Sequence, residues 1–361
     1  MKRVAIVGGG YAGTVLARAL DPVADITLIE QRDAFVHNVA AIRAVVDPAL
    51  QDQIVLPYAR LLKRGRVLRD RATGIGDGAV RLAARGVVDA DYIVVATGSG
   101  YALPFKPDGD DLAGFHTASA AANEAVKAAR SIAIVGAGPV GVELAGEIAS
   151  VMREKRITLI SATQTLFPDY PPALGRRLQK DFKRLGVNLR LGVRATGPVD
   201  TGGPGAGPVQ LSDGTIVEAD LVFQVTGARA KADLLTAIQG VRTKPSGRVI
   251  VDGWLRPTDR PNLFALGDVV DSGDHMTIVA ATRQAPWLAK TITALIRGTA
   301  IEKLPAYAPW SAPPILIPLG PRHGASVLPF TRRGLVVGAG PTAAIKGKAL
   351  FIPRYRKAFG V

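Results

Sequence analysis

Apolar residues take two forms along this chain: short unbroken runs that stop at glycine, and stretches in which they recur every three or four positions. Residues 3 to 7, RVAIV, are the first run and end abruptly at GGGYAG; TVLARAL then repeats at helical spacing, and ITLIE closes on Glu30. An unbroken apolar run bounded by glycine predicts a strand buried on both faces, and the period near 3.6 predicts an amphipathic helix. Strand, turn, helix and strand within about 30 residues form a parallel βαβ unit. The pattern recurs in SIAIVGAGPVGVELAGEIA, followed by RITLIS ending on Ser161. Three further runs, YIVVATGSG (92–100), LVFQVTGAR (221–229) and NLFALGDVV (262–270), predict strands that end in glycine turns. The alternation predicts an α/β fold with two such units.

The glycine spacing gives each unit a chemistry. Gly8, Gly10 and Gly13, and again Gly136, Gly138 and Gly141, fit G-x-G-x-x-G between a strand and a helix. The first glycine makes the turn, the second lets a pyrophosphate approach the backbone at the helix N-terminus, and the third packs helix against strand. Both units are therefore expected to bind dinucleotides. Their second strands end differently: Glu30 suits a ribose diol, whereas Ser161 leaves room for a 2′-phosphate and offers it a hydroxyl. The second site is expected to accept NADH or NADPH.

Composition narrows the rest. The 361 residues contain no cysteine, which excludes disulfides, thiolate metal sites, iron-sulfur clusters and thiol nucleophiles. Four scattered histidines show no metal-ligand spacing, so no metal site is expected and the chemistry falls to an organic cofactor. The longest apolar stretches, such as PPILIPLG, fall well short of the roughly 20 residues that span a bilayer. No export signal follows the N-terminal residues, which makes a cytoplasmic protein the expectation. The net charge is +15, and after Glu302 the chain carries no acid at all. Such a tail is either a solvated basic face or an attractor of anions.

With two cradles and the ATG and GD turns in this order, residues 1 to about 300 resemble the flavoproteins with two dinucleotide-binding domains. Lacking cysteine, the chain resembles the branches that pass electrons from flavin directly to an outside acceptor. DAFVHNVAAIRAVVDP looks most like the apoptosis-inducing-factor-like and ferroptosis suppressor group, related to type II NADH:quinone reductases. It departs from the lipidated members at Lys2, where they carry a glycine. The resemblance implies that FAD lies on Gly8, Gly10, Gly13 and Glu30, with Thr97, Gly98, Gly267 and Asp268 along it. NADH or NADPH would lie on Gly136, Gly138, Gly141 and Ser161, with Glu143 near the nicotinamide or simply a buried structural carboxylate. His37 and Asn38 are expected to neighbour the flavin ring. Gln284 is expected either to face flavin and quinone or to lie on a helix surface.

The same resemblance implies a discontinuous FAD-binding domain at 1–104 and 233–300, an inserted NAD(P)H-binding domain at 105–232, and a basic C-terminal region at 301–361 covering the flavin, an interface or a membrane face. The glycine- and proline-rich stretch 200–209 reads as a turn insertion. Trp287, Tyr307, Trp310 and Phe330 are either core or the lining of a quinone entry. Phe351, Ile352, Tyr355 and Phe359, set among basic residues, could rest on an anionic membrane. The expected activity is NAD(P)H-dependent reduction of a quinone. The alternatives are reduction of an acidic ferredoxin or rubredoxin, or a flavin-containing nucleic-acid-binding protein, for which no recognition motif accompanies the charge.

Overall fold

The computed structural model describes residues 1–197 and 204–361, so 200–203 of the expected turn insertion lie outside the described residues. Its first unit runs through β1 (Arg3–Val7), α1 (Tyr11–Leu20), β2 (Asp25–Glu30), α2 (Asn38–Ala44), β3 (Arg66–Arg69) and β4 (Tyr92–Val95). The chain then passes through α3 (Leu112–Ala128), β5 (Ser131–Val135), α4 (Pro139–Val151), β6 (Arg156–Ser161), α5 (Pro172–Leu185), β7 (Asn188–Leu191) and β8 (Leu221–Gln224). It returns for β9 (Leu263–Ala265) and α6 (Ile278–Ile296), and finishes with β10 (Ile315–Leu319), β11 (His323–Leu328), β12 (Leu335–Val337) and α7 (Ile352–Phe359).

Two parallel sheets result, ordered β9-β4-β1-β2-β3 and β7-β6-β5-β8. The central strands β1 and β5 are buried nearly throughout, as their unbroken apolar runs require. The second sheet is inserted between β4 and β9 of the first, and the two crossings, Ser99–Gly100 and Arg229–Ala230, pair antiparallel as a short ribbon. Registers match between units: Val7 pairs with Ile29 and Val135 with Ile160, so Glu30 and Ser161 occupy the same place past the last pair.

The C-terminal region does not stand apart. β10, β11 and β12 form an antiparallel sheet whose Ile315, Ile317, Leu319, Ala325 and Val327 join the core of the second unit. Tyr355 and Phe359 of α7 enter the core of the first, and Ile352 packs beside Leu350 against α2. This corrects the membrane expectation for these residues: Phe359 lies 4.8 Å from the Phe35 ring and Tyr355 stacks at 4.6 Å on His37. Packed inside the protein, these two rings gain roughly 1.5–3 kcal/mol each by leaving water and keep almost no surface to offer a lipid. Among the described residues no helix is long and apolar enough to cross a membrane.

Candidate active site

The first cradle is shaped by what glycine lacks. Gly8 sits at φ +109° and a Cβ there would collide with the Ala96 carbonyl, while a Cβ on Gly13 would strike the Gly8 carbonyl. Gly10 is different: nothing lies within 4 Å of its Cβ position, and it opens onto a trough at the N-terminus of α1. Glu30 is held at the end of β2 by the Gly9 N–H (2.7 Å), the Arg32 N–H (3.0 Å) and the Arg32 guanidinium (3.2 Å). Two adjoining cavities, of about 520 and 260 Å³, share Gly8, Gly10, Glu30, Asn38 and Thr97 in their walls, and the trough continues past Gly98 to Asp268. Thr97 Oγ1 donates to the Lys231 carbonyl (2.6 Å), tying the ATG turn to the returning crossing. Asp268 accepts from Ser99 Oγ at 2.6 Å, with Lys106 Nζ at 3.6 Å.

These residues fit a flavin dinucleotide. The open Gly10 position admits a pyrophosphate to the N-terminus of a helix, and Asn38 Oδ1, buried in the trough wall without a hydrogen-bond partner, awaits a donor from a ligand. Thr277, the N-cap of α6, lines the same trough with Ile278 and Val279, so a second positive helix end faces it.

His37, expected beside the ring, and Gln284, expected either to face the flavin or to lie on a helix surface, both lie behind the wall. His37 is the N-cap residue of α2, but its side chain caps nothing. It is 1% exposed, with Nε2 donating to the Leu350 carbonyl (2.6 Å) and Nδ1 facing Tyr11 Oη (2.9 Å). A carbonyl only accepts, so the neutral ring carries its proton on Nε2 and Nδ1 accepts from the tyrosine. Tyr11, which the sequence did not single out, is the group that reaches the trough. Burial pushes the His37 pKa down to about 4. Gln284 is 1% exposed and lies neither on the helix surface nor in the cavity wall. Its Oε1 accepts from the Gly267 N–H (2.7 Å), and its Nε2 donates to Ser272 Oγ (2.8 Å) and Asp274 Oδ2 (3.0 Å). It is a strut beneath the Gly267–Asp268 turn. Trp287 and Tyr307 pack together at 5.3 Å and Arg283 lies 4.4 Å over Trp310, whereas Phe330 projects into solvent; none lines the cavity.

At its far end the cavity is walled by Ile42, Val140, Ile315, Ile317 and Phe351, with one buried ion pair among them. Lys346 Nζ lies 2.7 and 2.9 Å from the Glu143 carboxylate oxygens and 3.1 Å from the Leu316 carbonyl, which uses all three of its donors. Burial raises the Glu143 carboxyl to about 7, against the opposing pull of Lys346. Read from sequence, Lys346 was one more charge in an acid-free tail; the π-helical turn at Ala343–Gly347 carries it inward. Beside the pair, Arg43 of α2 bonds Glu147 of α4 through two contacts of 2.8 Å and donates to the Gly347 carbonyl (2.6 Å), locking both helices to the tail.

The second cradle repeats the first. Gly136 sits at φ +113° against the Val225 carbonyl, Gly141 has no room for a Cβ beside the Gly136 carbonyl, and Gly138 has nothing within 4 Å. Gly138 opens onto a cleft of about 1040 Å³ lined by Ser161, Thr163, Arg194, Tyr170, His275 and Thr277, which reaches Ser99 and Asp268. The two troughs meet at Pro139, Val140, Met276 and Thr277.

Two open glycine cradles converging on one buried pocket define a flavoprotein that carries FAD and takes electrons from NADH or NADPH. Residues 2–285 match the model of the pyridine nucleotide-disulphide oxidoreductase family, and the chain belongs to it, although it holds no cysteine. It is 30% identical over 377 residues to apoptosis-inducing factor homolog B of Dictyostelium discoideum, covering 98% of this chain and 96% of that protein. Identity with human ferroptosis suppressor protein 1 is 26%, over 97% of this chain and 93% of the other. In fold it is similar to NDH2 of Plasmodium falciparum solved with NADH (TM-score 0.71, 15% identity, 99% and 97% of the two chains). It is likewise similar to the sulfide:quinone oxidoreductase of Aquifex aeolicus (TM-score 0.78, 16% identity, 99% and 91%).

Proposed function

We propose that the protein is an NAD(P)H:quinone oxidoreductase. Residues 1–104 and 233–300 would hold FAD, 105–232 the nicotinamide nucleotide, and 301–361 would complete the reaction pocket. The observation that carries the reading is the buried Glu143–Lys346 pair, set among Ile42, Val140, Ile315, Ile317 and Phe351 at the far end of the first cavity. When bound, FAD supplies the two-electron chemistry between nicotinamide and acceptor. The chain's share is to orient the partners and manage protons. Gly8, Gly10, Gly13 and Glu30 take the adenosine half of FAD, Asn38 and Asp268 offer polar atoms along the rest, and the apolar wall admits a flat acceptor while excluding water. A quinone becomes a quinol by gaining two electrons, which the reduced cofactor would supply, and two protons; a carboxyl held near neutrality by burial can give one of these at working pH, and solvent would supply the other and reload the carboxyl. Lys346 keeps that carboxyl oriented and compensates its charge once the proton has left. The sulfide:quinone oxidoreductase of Aquifex aeolicus, similar in fold, acts on a quinone, which supports this reading.

The test begins with the absorbance spectrum. The purified protein is expected to be yellow, to bleach anaerobically with NADH or NADPH, and to recover colour faster with a soluble quinone than with dissolved oxygen or an iron-sulfur acceptor. Reoxidation by quinone no faster than by oxygen would reject the quinone reading. Glu143→Gln is expected to slow quinone turnover by about 10²-fold or more and to remove a limb near pH 7 from its pH profile, while bleaching by nucleotide persists.

A further inference from the structure

We infer that the second cradle selects NADPH over NADH, and that Arg194, supplied from beyond the end of β7, is the residue that decides it. The inference rests on the reading of this cleft as the nicotinamide-nucleotide site. The matched registers place Ser161 where Glu30 stands in the first unit, so the ribose of a dinucleotide on Gly138 would lie at the end of β6. Among the described residues no carboxylate occupies that corner. Ser161 and Thr163 bring two hydroxyls together instead, their oxygens 2.9 Å apart. The segment after β7 is stitched onto the same corner: the Gly192 N–H donates to the Thr163 carbonyl and the Val193 N–H to the Ser161 carbonyl, both at 3.0 Å. Arg194 is anchored in turn, its N–H on Ser212 Oγ (3.0 Å) and its carbonyl accepting from the Ser212 N–H (2.8 Å).

The residue lines the cleft with Ser161 and Thr163, is exposed, and forms no ion pair among the described residues. The nearby carboxylate, Asp213, is already engaged by Arg190 at 3.1 Å. Of the other acids of the cleft, Asp271 is engaged by Arg248 at 3.5 Å and Asp268 by Lys106 at 3.6 Å, while Asp169 and Asp274 lie on segments brought together where Tyr170 packs against His275. The ribose corner is therefore cationic and rich in donors, which suits a 2′-phosphate carrying nearly two negative charges. A bare 2′-hydroxyl would find no carboxylate among the described residues there to accept its hydrogen bond, and it offers the arginine no charge to pair with.

The experiment measures KM for NADPH and NADH in flavin-loaded protein and, without turnover, the calorimetric binding of adenosine 2′,5′-bisphosphate against adenosine 5′-monophosphate. The wild type is expected to favour the 2′-phosphorylated member of each pair by about tenfold to a hundredfold at low salt. Arg194→Ala is expected to bring both ratios to within a few-fold of one at unchanged flavin content. Arg194→Lys should keep part of the preference, and Arg194→Glu should reverse it. Bleaching by both nucleotides with equal KM, or an Arg194→Ala ratio that does not move, overturns the selection while leaving the oxidoreductase reading intact. Bleaching by neither overturns both.

Discussion

At the scale of single residues, the fold spends its most unusual groups on support. His37 is buried neutral between Tyr11 and Leu350, with a pKa near 4 against 6.5 in an unfolded chain. At pH above 6.5 both states are neutral; as pH falls from 6.5 towards 4 the unfolded chain binds the extra proton, so stability is lost across that window by up to about 3 kcal/mol. His37→Gln keeps a donor for the Leu350 carbonyl and does not titrate. Urea unfolding at pH 7 and pH 4.5 is expected to show a smaller loss for the variant than for the wild type; equal losses would mean that His37 is not held neutral.

Among elements, α2, α4 and the tail are joined through Arg43. Glu147 is 2% exposed, and its carboxylate has no ion-pair partner but Arg43 among the described residues. Removing the guanidinium leaves a buried charge unpaired, so Arg43→Ala is expected to cost about 3–5 kcal/mol of unfolding free energy, whereas the double change to Arg43→Leu with Glu147→Leu recovers most of it. Arg43→Lys should rescue poorly, because an ammonium cannot reproduce the two-pronged contact and still reach the Gly347 carbonyl. Chemical denaturation of the flavin-loaded variants checks the series.

For the whole molecule, the C-terminal region decides whether the pocket exists. β10 supplies Ile315 and Ile317 to the cavity wall and to the second core, the π-helical turn supplies Lys346, and α7 seals the aromatic cluster under α2. A chain ending at Phe351 loses Tyr355 and Phe359 from the first core. Thermal unfolding should reveal a loss of about 3–6 kcal/mol. Flavin affinity is expected to fall with it, because Phe35, His37 and Tyr11 lose the ring that packs on all three. A truncated chain that keeps both its melting temperature and its flavin would place the tail outside the reaction pocket.

Both βαβ units were legible in the chain, because a buried parallel strand and a glycine-shaped phosphate turn are local demands written in consecutive residues. Gly8, Gly10 and Gly13, and their counterparts Gly136, Gly138 and Gly141, stand where the pattern placed them. Contacts between distant segments were not legible. Lys346 meets Glu143 across 203 positions and His37 meets Leu350 across 313. A lysine that enters the core and one that stays in water obey the same local pattern. Only the packing of the tail against α2 and α4 decided which charge of an acid-free terminus would be buried, and which arginine would stand beside Ser161.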